Sequence, residues 1–371
     1  MTDNGKNDHD RGIAPAPSGG WWVTGSSRAA GFASNYPGDA WAGKLGSDGK
    51  LQMLYNPAKG GIDDVLEGIV PLADGSAWAL GWIDQTVDGT NLSDRDLWMV
   101  HLGADGKVLD DQAPKAAKWQ MLSKGHLSKN GWIFSGSKDE KAWVGERDAT
   151  GKILWDVSMG HANAAFTVAT DVTQTADGSL FAPVYGGGLN GYGEGFLLHV
   201  APDKKATLTP DINSSYMGAP GTILAQPDGS ALLVRAIWNG SKWELSIFRR
   251  TGPNLIQPLV TVGIFGNQYA FDAIQLAPGG DLFIAGIGNR EWGIDNGAEV
   301  WRVSLQGKVV WSEAPQVSAT THSGYWGLAA GPQPNTLTAV GFASKTGAKQ
   351  SDAWARSMDA SGKIFCNGSP P

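Results

Sequence analysis

The sequence predicts an all-β fold built from seven copies of one unit, on three observations. A hairpin signature recurs seven times, with an aromatic residue on an extended stretch and then a tight turn that usually carries glycine, as at Trp98 and Gly106. The turns are about 45 to 57 residues apart, which indicates a repeat architecture. The chain has 52 glycines and only 18% charged residues, which is typical of many short strands. Together these features predict a seven-bladed β-propeller with four antiparallel strands in each blade.

The recurrent hairpin forms the outer half of each repeat. Its aromatic residues are Trp41, Trp98, Trp143, Phe196, Trp243, Trp301 and Trp354. A large side chain repeated once per blade fills the wedge between neighbouring sheets, so we expect these residues to be structural. An acid precedes the aromatic residue in five repeats, and we expect it to accept backbone hydrogen bonds rather than to catalyse. These acids are Asp39, Asp96, Glu194, Glu299 and Asp352.

The inner half of each repeat is a second hairpin, clearest between Glu67 and Gly81. Its apolar residues are consecutive rather than alternating, which indicates strands buried on both faces, and the second strand is expected to end at Gly81. The stretch 12–25 matches 68–81, so the first blade is complete without a strand from the C-terminus. We therefore expect a polar tail over 1–10, one propeller domain over 11–368 and a C-terminal tail over 369–371. We expect no strand exchange between the first and last blades, whose contact would rest on side-chain packing.

The pattern Asp-x-Trp-x-x-x-Leu, followed shortly by Gly-x-x-x-Trp, resembles the bacterial β-propeller repeats of the delta-60 and SBBP type. Blades two, three, six and seven carry it best, as in 148–155 and 307–311. Blades four and five depart from it, because Phe196 replaces the hairpin Trp, and Val184 and Arg235 replace the glycine that ends the inner hairpin. The resemblance implies the propeller fold and hardly constrains function.

Charge and hydropathy narrow the possible partners. A formal net charge of −7 without a basic cluster disfavours nucleic acid. No apolar run approaches the roughly 18 residues of a membrane-spanning helix. We expect a monomer without a cofactor, with structural Ca²⁺ at the repeated acids as the alternative. If Met1 replaces a removed export signal, the protein is periplasmic or secreted; otherwise it is cytoplasmic.

Candidate binding residues lie in the connections between the second and third strands of the blades. These connections are rich in glycine and asparagine, and loops of this kind commonly carry function. Aromatic side chains beside amides suit a glycan or an extended peptide, although loop packing would explain the same residues. Arg235 stands where five repeats have glycine, so we expect it to project from the same face. The full set is Tyr36, Trp82, Tyr185, Tyr192, Trp238, Trp292 and Arg235.

Polar residues that break the repeat at the blade-to-blade connections allow a second interpretation. We expect them near the propeller axis, and they are Asp63, Asp64, His126, His161, Asp171, Asp272, and His322 with Tyr325. Their spacing matches no metal-binding or nucleophile motif, so the sequence leaves catalysis open but disfavoured, and predicts no metal centre.

The sequence therefore favours a non-catalytic binding or scaffold protein that recognises a protein or glycan through the loop-bearing face and axial opening. The alternative is an extracytoplasmic lyase or hydrolase. A convergent cluster of histidine and carboxylate side chains within about 4 Å, with shifted pKa values, would favour the alternative. Its candidate site residues are His161, His322, Asp63, Asp272 and Arg235.

Overall fold

The computed structural model describes most of the chain, and every regular element in that part is a β-strand. The described residues are 6–29, 39–48, 50–57, 63–84, 95–115, 119–162, 164–188, 193–210, 218–238, 243–251, 256–262, 267–277, 279–289, 296–313, 321–331, 333–345 and 351–367. Among them no helix is long and apolar enough to cross a membrane.

The strands form seven antiparallel sheets, each with its four main strands in chain order. Blade 1 contains β1 (Lys6–Pro15), β2 (Trp21–Ala29), β3 (Asp39–Leu45) and β4 (Leu51–Tyr55). Blade 2 contains β5 (Asp63–Pro71), β6 (Ala77–Asp84), β7 (Arg95–Leu102) and β8 (Val108–Gln112). Blade 3 contains β9 (Gln120–Ser128), β10 (Gly131–Lys138), β11 (Lys141–Arg147) and β12 (Ile153–Met159).

In blade 4 the innermost strand is split into two segments. Blade 4 contains β13 (Ala164–Ala169), β14 (Thr173–Gln174), β15 (Leu180–Gly188), β16 (Gly193–Val200) and β17 (Ala206–Pro210). Blade 5 contains β18 (Gly218–Ala225), β19 (Ala231–Trp238), β20 (Trp243–Arg250) and β21 (Ile256–Val262). Blade 6 contains β22 (Asn267–Gln275), β23 (Leu282–Asn289), β24 (Asn296–Val303) and β25 (Val309–Glu313). Blade 7 contains β26 (Thr321–Ala330), β27 (Thr336–Lys345), β28 (Ser351–Asp359) and β29 (Ile364–Asn367).

This architecture confirms the predicted seven-bladed β-propeller. Blades 1 and 7 each keep their own four strands, so the expectation of no strand exchange is also confirmed. The first blade begins earlier than predicted, because β1 pairs with β2 from Lys6 onward, within the stretch expected to be a polar tail.

The described contacts divide the chain into two compact units. The first comprises Met1–Leu122, Asp295–Val300 and Glu313–Pro371, and the second comprises Ser123–Ile294 and Trp301–Ser312. Within the first unit, blade 1 packs against blade 7. The Trp21 Nε1 atom donates a hydrogen bond to the Ala330 carbonyl oxygen at 3.0 Å, and Trp21 shares an apolar cluster with Val340. Side-chain packing therefore joins the terminal blades, as expected.

Turn chemistry explains the hairpins. At the turn after β7, Gly106 has φ of 82°, and Asp105 Oδ1 accepts a hydrogen bond from the Lys107 amide at 3.1 Å. A left-handed residue and a preceding aspartate that accepts a local amide hydrogen bond are the usual requirements of such turns. Blade 4 places Lys204, with φ of 69°, where most other repeats have glycine.

The hairpin tryptophans whose side chains are described are buried, as predicted. In blades 2 and 3 the indole N–H also has an acceptor on the outermost strand. Trp98 Nε1 donates to Asp111 Oδ1 at 3.0 Å, and Trp143 Nε1 donates to Asp156 Oδ2 at 2.8 Å. In blade 4 Phe196 replaces the tryptophan, and Leu208 occupies the register of the aspartate. The phenyl ring has no N–H to donate and leucine has no oxygen to accept, so the two substitutions in blade 4 remove both partners of the indole–aspartate hydrogen bond.

The repeated glycine of the inner hairpin does not end its strand, which is a correction. Gly81 lies within β6, which continues to Asp84, and pairs with Leu66 beside a bulge in β5. A Cβ atom at Gly81 would overlap the carbonyl oxygen of Val65, and Gly341 has the same relation to Gly324. Glycine is therefore required here because the bulged backbone of the neighbouring strand lies too close for a Cβ atom, and not because the strand ends.

Candidate functional site

The innermost strands differ between blades at one repeated position, seven residues before the turn glycine. The position holds Gly12 and Gly68 in blades 1 and 2, and Asp171, Thr222 and Asp272 in blades 4, 5 and 6. In the first unit, a Cβ atom at Gly12 would lie 2.9 Å from the Glu67 carbonyl oxygen and 3.1 Å from the Gly68 Cα atom. Glycine there permits close packing of backbones, whereas the second unit has polar side chains at the same position.

These polar side chains meet two residues of β9 in the second unit. We call the group the inner-strand cluster, and it consists of Lys124, His126, Asp171, Thr222 and Asp272. Its members come from four successive blades, because Lys124 and His126 belong to blade 3.

The Asp171 carboxylate is a buried member of the cluster. Its Oδ1 atom accepts a hydrogen bond from the Val172 amide at 2.8 Å and lies 2.9 Å from His126 Nε2. Its Oδ2 atom accepts hydrogen bonds from Thr222 Oγ1 at 2.6 Å and from the Ile223 amide at 3.1 Å. A single carboxylate therefore joins the innermost strands of blades 3, 4 and 5.

The surroundings of Asp171 favour its ionised form. Burial raises the pKa of this carboxyl group, but the charge of Lys124 and the hydrogen bonds of His126 and Thr222 outweigh it and hold the pKa well below its usual range. Asp171 is therefore an anion at neutral pH, and it can only accept hydrogen bonds.

Lys124 and Asp272 form the second contact of the cluster. The Lys124 Nζ atom lies 2.8 Å from Asp272 Oδ1, and the two side chains are 20% and 15% exposed. Asp272 Oδ1 also accepts a hydrogen bond from the Ala273 amide at 3.0 Å. The ion pair is largely shielded from water, so its geometry is better fixed than that of a surface pair.

His126 is the accessible member of the cluster. Its side chain is 50% exposed, whereas that of Asp171 is 2% exposed. A half-exposed imidazole held by a buried carboxylate has a fixed orientation and remains able to contact a ligand.

The predicted enzyme site is assembled only in part. Asp272 belongs to the inner-strand cluster, but His161 packs its ring against Phe196, with ring centroids 4.4 Å apart. The side chains of Asp63 and His322 lie outside the described residues. Among the side chains that the structure describes, His126 and Asp171 lie 2.9 Å apart, and the sequence analysis placed both near the axis without pairing them.

Arg235 does not project from a face of the propeller, which is a second correction. Its side chain is buried, and Nη2 donates to the carbonyl oxygens of Val184 at 3.4 Å and Phe196 at 3.5 Å. Gly221 lies opposite it on β18, and a Cβ atom at Gly195 would overlap its guanidinium group. Arg235 therefore links blades 4 and 5, because two glycines make room for it.

Trp82 is also buried rather than presented by a loop, because β6 extends past it to Asp84. The Arg95 guanidinium carbon lies 3.9 Å from the centroid of its indole and 5.7 Å from that of Trp119. Tyr185 is half-buried in β15 and packs at 6.3 Å from the Phe166 ring centroid. The remaining predicted aromatics lie outside the described residues, with only the backbone of Trp238 described. They are Tyr36, Tyr192, Trp238 and Trp292.

Sequence reasoning missed Lys124. It stands seven residues before the turn glycine Gly131, the position that holds Asp171, Thr222 and Asp272 in the next three blades, and this alignment of the repeats is the signal that could have identified it. Within the described part of the chain, no three His, Cys, Asp or Glu side chains are grouped to hold a metal ion.

Comparisons with solved structures bear on the fold. A protein of unknown function from Dyadobacter fermentans aligns with a TM-score of 0.57 and 8% identity, covering 96% of this chain and 95% of that one. Sqt1 from Chaetomium thermophilum aligns with a TM-score of 0.53 and 14% identity, covering 97% and 83%. Trypanosoma rangeli sialidase aligns with a TM-score of 0.54 and 11% identity, covering 94% of this chain and 55% of the sialidase.

At these identities the similarity shows the propeller fold alone. No family model matches the chain, and no curated protein matches it. The resemblance to delta-60 and SBBP repeats is thus supported as far as the fold.

Proposed function

We propose that this propeller is a non-catalytic binding protein for a glycan or protein partner, and that the inner-strand cluster contacts the ligand. One observation carries the proposal. Lys124 and His126 stand two residues apart on β9, and a carboxylate from a different blade orients each of them, at 2.8 Å and 2.9 Å. Alternate residues of a strand share a face, so the two groups form a preorganised polar pair. Preorganised groups lose little entropy on binding.

We include the loops between the second and third strands of the blades in the proposed contact surface. Tyr36, Tyr192, Trp238 and Trp292 remain candidates there, whereas the buried side chains of Trp82 and Arg235 support the blades. We also propose that the repeats belong to the delta-60 and SBBP group, on the hairpin pattern of the sequence.

A binding screen tests the proposal. The purified protein is applied to a glycan array and used to capture crosslinked protein partners, alongside a Lys124→Met/His126→Phe double variant. We expect a retained ligand whose binding falls at least about tenfold in the double variant, which corresponds to the loss of about 1.4 kcal/mol. Lys152→Met, at an exposed turn, is the control. A ligand that binds the double variant as tightly as the wild type contradicts a role for the cluster.

A second candidate, an enzyme of lyase or hydrolase type, is favoured by the His126–Asp171 pair. A histidine oriented by an ionised carboxylate has the arrangement of a general base. Aryl esters, aryl glycosides and polyuronates are suitable test substrates. If the protein is such an enzyme, we expect turnover of one of these substrates to be lost in His126→Gln and retained in the control His161→Gln. Turnover that survives His126→Gln excludes the His126–Asp171 pair as the catalytic site.

A further inference from the structure

The contacts of His126 determine which of its nitrogen atoms carries a proton. Its Nε2 atom lies 2.9 Å from Asp171 Oδ1, and an ionised carboxylate can only accept a hydrogen bond. Nε2 is therefore the donor. In the neutral imidazole, Nδ1 then keeps its lone pair and is a hydrogen-bond acceptor.

The neighbouring groups complement this acceptor. Lys124 supplies an ammonium donor two residues earlier on β9, and Asp272 supplies a partly exposed carboxylate. Thr222 completes the cluster, with its hydroxyl group donating to Asp171 at 2.6 Å. The cluster thus offers both donors and acceptors on side chains whose positions are fixed by contacts between blades.

The formal charge of the cluster opposes an anionic ligand. Lys124 contributes +1 and the two aspartates contribute −1 each, so the formal charges of these three side chains sum to −1. The whole chain has a net charge of −7. A carboxylate or phosphate would therefore approach side chains that already carry excess negative charge.

We propose that the inner-strand cluster binds a neutral, hydroxyl-bearing ligand, of which an uncharged saccharide is the chemical class, and selects against acidic saccharides. A hydroxyl group both donates and accepts, so it matches His126 Nδ1 and Lys124 Nζ together. This inference rests on the proposed binding function and narrows its ligand class.

NMR spectroscopy tests the histidine state directly. In protein labelled with ¹⁵N-histidine, the His126 signals are assigned by their loss in His126→Gln. We expect the neutral imidazole to be the Nε2–H tautomer in the wild type and a mixture of tautomers in Asp171→Asn. A wild-type signal from the Nδ1–H tautomer overturns the proposal, because the acceptor would then face Asp171.

Titrations with defined saccharides test the ligand class. Cellohexaose, mannohexaose and hexagalacturonate are titrated into the wild type, His126→Phe and Lys152→Met, with folding checked by circular dichroism. We expect a neutral hexasaccharide to bind at least about tenfold more tightly than hexagalacturonate, and His126→Phe to lose about tenfold in affinity. Lys152→Met should bind as the wild type does.

The experiments distinguish failure of the proposed ligand class from failure of the proposed binding function. Preference for hexagalacturonate, or no binding of either neutral saccharide, overturns the ligand class. If a protein partner is then captured and lost in the Lys124→Met/His126→Phe double variant, the proposed binding function stands. If that double variant also binds every captured ligand normally, the cluster has no part in binding and both proposals fail.

Discussion

Asp171 links three blades through one carboxylate, so its ionisation affects stability. Its pKa in the folded state lies below that of the unfolded chain, and the ionised form therefore stabilises the fold. This contribution is fully present above about pH 4, the ordinary range of an aspartate, and is lost as the pH falls toward the folded-state pKa. We expect Asp171→Asn to lower the free energy of unfolding by about 3 kcal/mol at pH 7, measured by urea denaturation.

The difference between wild type and Asp171→Asn should shrink at pH 3, because the wild type then loses part of its own stabilisation. Asp105→Asn, at an exposed turn, serves as the control and should change stability little. An equal difference at pH 7 and pH 3 would show that the ionised carboxylate is not the source of the effect.

Arg235 and Gly195 form a pair across blades 4 and 5. A methyl group at position 195 would overlap the guanidinium group, so we expect Gly195→Ala to destabilise the protein by about 1–3 kcal/mol. Arg235→Ala removes the obstacle, and Gly195→Ala should cost little in that background. A double-mutant cycle by chemical denaturation measures the coupling. Additive effects would contradict the packing described for Arg235.

At the scale of the strand hairpin, the tryptophan and its aspartate act together. Asp156→Leu removes the acceptor of the Trp143 indole and should lower the free energy of unfolding by about 1–2 kcal/mol, as expected for a buried donor left without a partner. Trp143→Phe combined with Asp156→Leu reproduces the phenylalanine and leucine of blade 4 and should regain part of that loss. A double variant less stable than the sum of the single variants would contradict this account.

The strands and turns could be predicted from the sequence wherever the repeated residues themselves determine them. Turn glycines, hairpin tryptophans and consecutive apolar residues act within a few positions of one another, so the sequence predicts blades and turns correctly. The repeat does not predict the role of Gly81, because glycine is needed there for a bulge in the neighbouring strand, which lies at a distance along the chain. The repeat also predicts a loop at Trp82, whereas pairing with β5 and β7 extends β6 beyond the repeated glycine.

The candidate site was less predictable than the fold. The sequence identifies His126, Asp171 and Asp272 as polar residues that break the repeat, but it does not identify their partners, which are 45 to 148 residues away along the chain. For Arg235 the sequence predicts an exposed side chain, because a charged residue replaces glycine. In the structure the side chain is buried, because Gly221 and Gly195 leave room for it. Contacts between blades depend on packing that a repeat pattern does not specify.

At the scale of the whole molecule, side-chain contacts join blades 1 and 7 in the first unit. Trp21→Phe removes the hydrogen bond to Ala330 while keeping most of the apolar volume. We expect faster amide hydrogen exchange in β1 and β26, with no change in β18 and β19. Exchange that rises equally in all these strands would indicate global destabilisation instead of a local weakening of this contact.

We propose that residues shared by the repeats build the blades, whereas the inner-strand residues that differ between repeats contact the ligand. Amide hydrogen exchange, recorded with and without the ligand obtained from the binding screen, tests this division of roles. We expect the ligand to protect β9, β18 and β22 around Lys124, Thr222 and Asp272. Protection confined to the outermost strands β8, β12 and β25, with no change in the three innermost strands, would contradict it.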